Sequence, residues 1–433
     1  MKTKTLPGFK QSEIGSIPEN WEVKSVKHFC LDITSGGTPS RNKIENWDGG
    51  KIPWLKTQEL NDGNIYKTDE RITEQGLNSS SAKLLPIDTV LMAMYGATVG
   101  KLGILKIQAT TNQAFCAMVV NHKIADHRFL FYSLLQNRDK LMNLASGAAQ
   151  QNLNLYIINE FLLPFPKLSE QKAIAKIPSD IDTKIEHNKK MNKTLETIAQ
   201  AIFKHWFIDF DFPNEEGKPY KSSGGQMVDS ELGEIPKGWN IRKLGDLGKI
   251  VCGKTPSTKD DTNFGQDVPF ITIPDMRGNV FTLKTERYLS TKGANSQETK
   301  FLPPLSVCVS CIATPGLVTL TSTTSQTNQQ INSIICKEGV NPFFVYFVSK
   351  EKSQEIINMG LGGTATLNLN TSEFSNLKVI LPDTVALKKF HDFTTQFFKK
   401  IFSNSKEILV LTDIRDSFLP KLMSGKIRVP LEE

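Results

Sequence analysis

Thr111-Asn112-Gln113 stands 216 positions before a second such triplet, Thr327-Asn328-Gln329, and Asn152-Leu153-Asn154 stands the same 216 positions before Asn368-Leu369-Asn370. Gly147 and Gly363, and Pro166 and Pro382, keep that offset; Glu13-Ile-Gly-Ser-Ile-Pro-Glu-Asn-Trp21 returns as Glu231-Leu-Gly-Glu-Ile-Pro-Lys-Gly-Trp239 at an offset of 218. Residues 1–212 and 213–433 are therefore two copies of one plan. The period exceeds the roughly 20–50 residues of a solenoid unit. It predicts a duplicated domain with two similar sites related by a pseudo-two-fold axis. Duplex DNA is a ligand with matching symmetry.

The bulk numbers fit that picture without deciding it. A chain of 433 residues suits two or three domains with ordinary cores. With 39% apolar and 22% charged residues it has the composition of a soluble globular protein. A net charge of +7 permits nucleic-acid binding. The six cysteines have no framework spacing, which suits a reducing cytoplasm. Met1-Lys-Thr-Lys-Thr-Leu-Pro7 lacks the apolar core of a signal peptide. No run approaches the ~18 apolar residues of a membrane span. The expectation is a cytoplasmic protein without a membrane partner.

Each copy divides again. Residues 20–166 and 238–382 carry short apolar runs separated by Gly, Pro and Asn: Thr89–Met94, Phe115–Val120, Ser306–Ser310, Ile331–Cys336 and Leu377–Leu381. These read as strands and turns. One helix interrupts each copy, Arg128–Leu144 and Pro342–Met359, which makes the domains mixed. The remainder of each copy is a long helix. Ile174, Ile177, Ile181, Ile185, Leu195, Ile198 and Ile202 step by threes and fours, as a coiled-coil seam does. Their counterparts 216 residues on are Phe390, Phe393, Phe397, Ile401, Leu411, Ile414 and Phe418. Asn188 maps onto Asn404, and an Asn in a seam fixes register. The two helices should pair antiparallel, through Ile181, Ile185, Asn188, Leu195, Ile198 and Ile202 on one and Phe397, Ile401, Asn404, Leu411, Ile414 and Phe418 on the other. Packing of each helix on its own domain is the competing reading. Pro178 should kink or restart the first helix; its counterpart Thr394 should not.

The predicted fold is thus α+β: a tandem duplication of a mixed α/β domain plus a long helix. The domain bounds are 1–166 and 238–382 for the two mixed domains, 167–210 for the central helix, 211–237 for the join and 383–433 for the C-terminal helix and tail. The join, rich in charge, Gly, Pro and Ser, reads as an exposed linker.

Three motifs suggest chemistry and fail on physics. Gly248-Lys-Ile-Val-Cys-Gly253-Lys254-Thr255 matches a P-loop, but Pro256 follows at once and no amphipathic helix is signalled. Its counterpart, Ser35-Gly36-Gly37-Thr38-Pro39-Ser40, keeps Gly, Thr, Pro and Ser and loses the lysine. Asn341-Pro342-Phe343-Phe344 resembles an amino-methyltransferase motif without its second proline; at a helix start Asn caps and Pro fits. Cys308-x-x-Cys311 lacks the further ligands of a zinc site and reads as two buried strand cysteines. The chain therefore predicts no catalytic residues and no metal.

Four segments carry a family resemblance: Ile17–Trp21 with Ile235–Trp239; Val90-Leu-Met-Ala-Met-Tyr-Gly-Ala-Thr-Val-Gly-Lys101 followed by Thr111-Asn-Gln113; Ile198-Ala-Gln-Ala-Ile-Phe-Lys-His-Trp-Phe-Ile-Asp-Phe-Asp211; and Arg415-Asp-Ser-Phe-Leu-Pro-Lys-Leu-Met-Ser-Gly-Lys-Ile-Arg428. With them the chain resembles the specificity (S) subunits of type I restriction–modification systems over nearly its whole length. It departs at Pro178 and at Ala313-Thr-Pro-Gly316-Leu317, the second copy of the Gly-Ala-Thr-Val-Gly-Lys loop. The resemblance implies two target recognition domains, each reading half of a split site in double-stranded DNA. It implies paired helices that act as ruler and as dock for two modification subunits. It implies S-adenosylmethionine in those methyltransferase partners, ATP and Mg in separate restriction subunits, and no cofactor in this chain.

Geometry points the same way. A helix of about 36 residues is about 54 Å long, more than the ~34 Å of one DNA turn, so the target should be bipartite and asymmetric with an unread gap. Candidate DNA contacts in the first copy are Lys56, Thr57, Gln58, Thr98, Lys101, Asn112, Gln113, Gln150, Gln151 and Asn152. In the second they are Thr272, Asp275, Arg277, Gln329, Gln330, Thr364, Thr366 and Asn368. Asn and Gln pair with adenine, Arg and Lys with guanine; alternatively Asn112 and Asn328 merely cap turns. Two other functions compete, a P-loop NTPase and a duplicated coiled-coil scaffold that binds no DNA. Since Pro256 denies the apparent P-loop its helix, the purified chain should not hydrolyse ATP. A phosphate-release assay checks this, and turnover abolished by Lys254→Ala would establish the NTPase instead.

Overall fold

In the computed structural model, residues 7–145, 152–361 and 369–430 are described. The chain forms two compact units, Met1–Glu186 with Val410–Glu433, and His187–Leu409. The first unit is built on a five-stranded sheet of β1 (Cys30–Thr34), β2 (Gly63–Ile65), β3 (Val90–Ala93), β4 (Leu102–Leu105) and β5 (Phe115–Val120), in the order β1-β5-β3-β4-β2. The helix α1 (His127–Gln136) packs on it, and the long helix α2 (Leu168–Phe207) follows. The second unit repeats the plan with β6 (Gly248–Cys252), β7 (Phe281–Thr282), β8 (Val307–Ser310), β9 (Val318–Thr321) and β10 (Ile331–Cys336), ordered β6-β10-β8-β9-β7. The helix α3 (Pro342–Glu351) packs on its sheet, and the long helix α4 (Thr384–Met423) follows. A three-stranded sheet recurs too, with Ile52–Leu55 between Thr110–Thr111 and Glu70–Ile72, and with Phe264–Ile271 between Gln326–Thr327 and Arg287–Leu289.

The strand runs are continuously apolar because both faces of the five-stranded sheet are covered. Successive side chains point to opposite faces. Val90 and Met92 join one buried cluster with Phe129 and Leu130 of α1, while Leu91 and Ala93 join another with Phe115 and Ala117. The second unit divides Val307 and Val309 from Cys308 in the same way.

Each predicted interrupting helix is two helices. Asn137 ends α1: its amide nitrogen donates to the Ser133 carbonyl, and a second helix runs Arg138–Ala145. Lys352 does the same between α3 and Ser353–Leu361. α2 runs through Pro178 as a single helix of 40 residues, so the proline does not restart it. The proline forfeits one backbone bond, and its buried neighbours Ile174, Ala175 and Ile185 hold the helix to the core.

The long helices pair antiparallel within each unit. In the second, Asn188 donates to Glu407 at 3.0 Å, Asn192 to Ser405 at 3.0 Å, and Asn404 to Asn192 at 2.9 Å. In the first, Arg415 donates to Asp182 at 2.6 Å. The helices also pack on their own domains: Phe203, Phe207, Phe390 and Phe398 share a cluster with Phe343, Phe344 and Phe347. Both readings of the seam therefore apply. Ile185, Asn188, Ile401 and Asn404 are buried; Ile181, Leu195, Ile202, Phe397 and Leu411 are half-buried. Ile198, Ile414 and Phe418 depart from the expectation, at 42%, 39% and 42% exposed. The face turned inward beside Ile198 carries Ala199 and Phe203 instead.

Much of the join is exposed, as its composition suggests, but it is anchored. Phe210 and Phe212 are buried, and Phe212 stacks on Trp239 at 4.8 Å and on Tyr220 at 4.6 Å. These rings pin the segment to the second unit.

Ile401→Ala should cost about 2–5 kcal/mol, as buried aliphatic truncations do. Ile198→Ala should stay within about 0.5 kcal/mol of the parent. Denaturant unfolding of the full chain measures both, and equal losses would place the seam elsewhere.

Candidate nucleic-acid interface

Both copies build the same loop platform at one end of the five-stranded sheet, where β3 and β8 end and β5 and β10 begin. In the first, the Gly37 N–H donates to the Thr111 carbonyl at 2.8 Å; in the second, the Lys254 N–H donates to Thr327 at 2.9 Å. The approach leaves no room for a side chain. A Cβ on Gly36 would lie 2.1 Å from the Thr111 carbonyl oxygen, and one on Gly253 2.1 Å from that of Asn328. The threonine of each Gly-x-Thr-Pro-Ser turn then reaches the glutamine of each Thr-Asn-Gln. Thr38 Oγ1 donates to Gln113 Oε1 at 2.6 Å, and Thr255 Oγ1 to Gln329 Oε1 at 2.7 Å. With the oxygen so held, the amide nitrogen is the donor these exposed glutamines can offer a partner.

Asn112 and Asn328 cap turns. Asn112 Oδ1 accepts from the Ala114 N–H at 3.0 Å, and Asn328 Oδ1 from the Gln330 N–H at 3.1 Å. Asn328 also donates to Gln330 Oε1 at 2.9 Å.

The other predicted contacts separate by burial. Gln58, Asn152 and Arg277 are exposed, and Thr98 and Thr272 are half-buried. Thr57 is buried within the fold. Asp275 is buried as well, and its carboxylate accepts from the Thr272 N–H, the Thr272 hydroxyl and the Glu286 N–H. With Thr272 as N-cap, those bonds make it the N3 member of a capping box. Gln150, Gln151, Thr364, Thr366 and Asn368 lie outside the described residues.

Two of the cations are held in internal networks. Lys101 donates to Asp62 at 2.9 Å, and Arg138 contacts the same carboxylate. Burial pushes the Asp62 carboxyl up, but the Leu102 N–H, Lys101 and Arg138 outweigh it and hold the group below its ordinary range. Lys56 donates to Glu70 at 2.7 Å, and that bond raises the lysine. Glu70 also takes Arg41, whose hydrogen bond is the main reason its carboxyl is lowered. Arg41 lies over Trp47 at 3.6 Å and Trp54 at 4.9 Å.

Thr38, Thr255, Arg41 and Asp62 were not among the predicted contacts. The recurrence of Gly-x-Thr-Pro-Ser in both copies was the signal for the threonines.

The motifs that suggested chemistry have structural roles. Gly248–Cys252 is the strand β6, and Gly253-Lys254-Thr255 forms the platform turn; the next helical element is the three-residue turn Asp261–Asn263. No helix opens there to hold a phosphate. Asn341 caps α3 by accepting from the Phe343 N–H at 2.8 Å. Cys308 and Cys311 are buried, and burial pushes their thiols up to about 12 and about 11.

The profile of the type I restriction modification DNA specificity domain matches residues 18–197 and 236–412, once in each copy. The chain is 36% identical to the Type I restriction enzyme HindI specificity subunit of Haemophilus influenzae, over 72% of this chain and 80% of the relative. It is 30% identical to the MjaIX specificity subunit of Methanocaldococcus jannaschii, over 97% of this chain and 96% of the relative. The crystal structure of a type I restriction–modification system S subunit from M. genitalium shares the fold, with a TM-score of 0.60 at 16% identity over 99% of this chain and 100% of the other.

Gly36→Ala must push the Thr38 turn off Thr111. It should destabilise the chain by about 1–3 kcal/mol, as overpacking does, whereas Gln58→Ala at an exposed position should stay near neutral. Thermal unfolding checks both, and a neutral Gly36→Ala would mean the turn is free to move.

Proposed function

The chain belongs to the type I restriction–modification DNA specificity family, and on that premise we propose how its two units divide the reading of DNA. The chain is the sequence-recognition subunit of such a complex and carries no catalysis itself. Residues 1–166 and 238–382 act as two target recognition domains, each reading one half of a bipartite, asymmetric site in double-stranded DNA. The observation that carries this is the platform built alike in both copies around Thr38–Gln113 and Thr255–Gln329, with different side chains on the loops beside it. Lys56 and Gln58 stand in one copy; Thr272 and Arg277 follow the equivalent strand in the other. A constant scaffold with variable polar residues suits two readers of different base pairs. Gln113, Gln329, Gln58 and Arg277 are the exposed residues best placed by chemistry to touch bases.

The paired helices would set the unread gap and dock two methyltransferase subunits. Support comes from apolar side chains left uncovered on them: Ile198 and Phe393 in the second unit, Ile414 and Phe418 in the first. In this reading S-adenosylmethionine belongs to the methyltransferase partners, and ATP with Mg to restriction subunits. Among the described residues no helix is long and apolar enough to cross a membrane, and a cytoplasmic place of work follows from the role.

Replacing residues 238–382 by the equivalent domain of another family member should change one half-site and leave the other. Each mismatched base pair costs about 1–3 kcal/mol, and distant positions add, so the halves should respond separately. Methylation mapping in cells carrying the chimera and its modification partner reads the outcome. Both half-sites changing together would overturn the two-reader model, and an absence of DNA binding by the assembled complex would favour a scaffold.

A further inference from the structure

Asp88, His122 and His127 bring three ligand atoms within 4.8 Å of one another in the first unit. The sheet's topology gathers them. Asp88 lies two residues before β3, His122 two residues after β5, and His127 begins α1. Lys106, the residue after β4, completes the group: its ammonium lies 2.7 Å from Asp88 Oδ1 and 3.4 Å from His127 Nε2. All of this is at the far end of β5 from Gln113. That strand has six residues, about 20 Å at the usual rise.

We propose that this cluster is a binding site for a late first-row divalent cation, zinc the foremost, that staples three loops of the first unit together. Two imidazoles and one carboxylate are the donor set such ions take, with water free to complete a tetrahedron. Zinc bonds to nitrogen and oxygen are about 2.0–2.2 Å, so two ligands of one tetrahedral ion stand roughly 3.3–3.5 Å apart. His127 Nε2 and Asp88 Oδ1 are 3.2 Å apart already. The rings of His122 and His127 are nearly perpendicular, 82°, with centroids at 5.6 Å. His122 is exposed and can close the remaining gap by a rotamer change.

The anchors are firm. The Asp88 N–H donates to the Leu105 carbonyl at 2.7 Å, the Lys106 N–H to Ile65 at 2.9 Å, and His127 follows the N-cap Asp126. Lys106 shows that a positive charge already sits against the carboxylate. On metal binding its ammonium moves out to water, so one cation replaces another, and no proton or electron changes hands. The cluster is no part of the duplicated plan, since the positions 216 residues on are Pro304, Ser322, Glu338 and Phe343. Its role is therefore separate from base reading and belongs to one unit.

The test uses the full chain, stripped with chelator and titrated with zinc chloride by calorimetry, and with cobalt chloride by visible spectroscopy for the ligand field. Wild type should take one ion per chain, melt higher with zinc, and give the absorption of a tetrahedral nitrogen–oxygen site. His122→Ala removes an exposed ligand, leaves the fold, and should weaken binding at least tenfold; Asp88→Asn should do the same. Lys106→Gln removes the competing ammonium and should bind at least as tightly as wild type. Failure of wild type to bind zinc would overturn the proposal, even if Lys106→Gln gained binding, since the lysine would then hold the place permanently. Equal binding by wild type and His122→Ala would overturn it as well.

Discussion

Four buried or half-buried polar side chains fix how the two long helices meet in the second unit, and the core of that unit inherits the register. Asn188 bonds Glu407, and Asn404 bonds Asn192. Asn188 and Asn404 are 2% and 1% exposed, so a slip of one turn would leave their amides without partners, at about 1–3 kcal/mol for each orphaned group. Apolar seam residues alone tolerate several registers; a satisfied amide tolerates one. The second unit contains a piece of both helices, so the register decides which of their residues meet in its core. Phe203 and Phe207 of α2 and Phe390 and Phe398 of α4 can share one aromatic core with α3 only because the helices are aligned this way.

At the sheet end the constraint is steric. Gly36 and Gly253 sit where a carbonyl oxygen occupies the space of a Cβ, so the turn can lie flat against Thr-Asn-Gln only with glycine there. That closeness lets Thr38 and Thr255 reach their glutamines. Strand, glycine and threonine together make a rigid base, and the loops on it can change sequence without disturbing the sheet. Binding residues on loops carried by a rigid scaffold are the usual solution to that requirement.

The duplication was legible because a period survives divergence: Thr111 and Thr327, Trp21 and Trp239 announce it without a structure. The strands were legible because burial on both faces leaves long apolar runs such as Phe115–Val120. The seam was only half legible. Steps of three and four select Ile185 and Ile401, which are buried, and also Ile198, Ile414 and Phe418, which are not. Two adjacent stripes on one helix share that spacing, and the pattern does not say which faces inward when partners beyond the helix compete. The helix breaks at Asn137 and Lys352 had no proline or glycine to mark them. The join was legible in part: its charge and glycine mark a mostly exposed segment, while Phe210 and Phe212 decide where it is anchored. Thr38 and Gln113 are 75 residues apart, a pairing that no local pattern reports.

The two copies also show how far a shared plan can drift while keeping its physics. Beside the first platform Arg41 lies over Trp47 and Trp54. The equivalent aromatic positions in the second hold Phe264 and Phe270, and the cation over them is Arg287, at 4.3 Å and 6.0 Å. Arg287 occupies the place of Glu70, the carboxylate that pairs with Arg41 in the first copy. The aromatic pair and the guanidinium persist; the guanidinium comes from a turn in the first copy and from a strand in the second. In the first copy that charge is shared with Glu70 and through it with Lys56, so the lysine is neutralised and positioned at once. A cation–π contact needs only a face and a charge within about 6 Å, and it tolerates delivery from a turn or from a strand. A base contact needs a donor and an acceptor at fixed angles. Duplicated domains can therefore conserve the first kind of interaction while the second kind diverges, which is what the proposed pair of different readers requires.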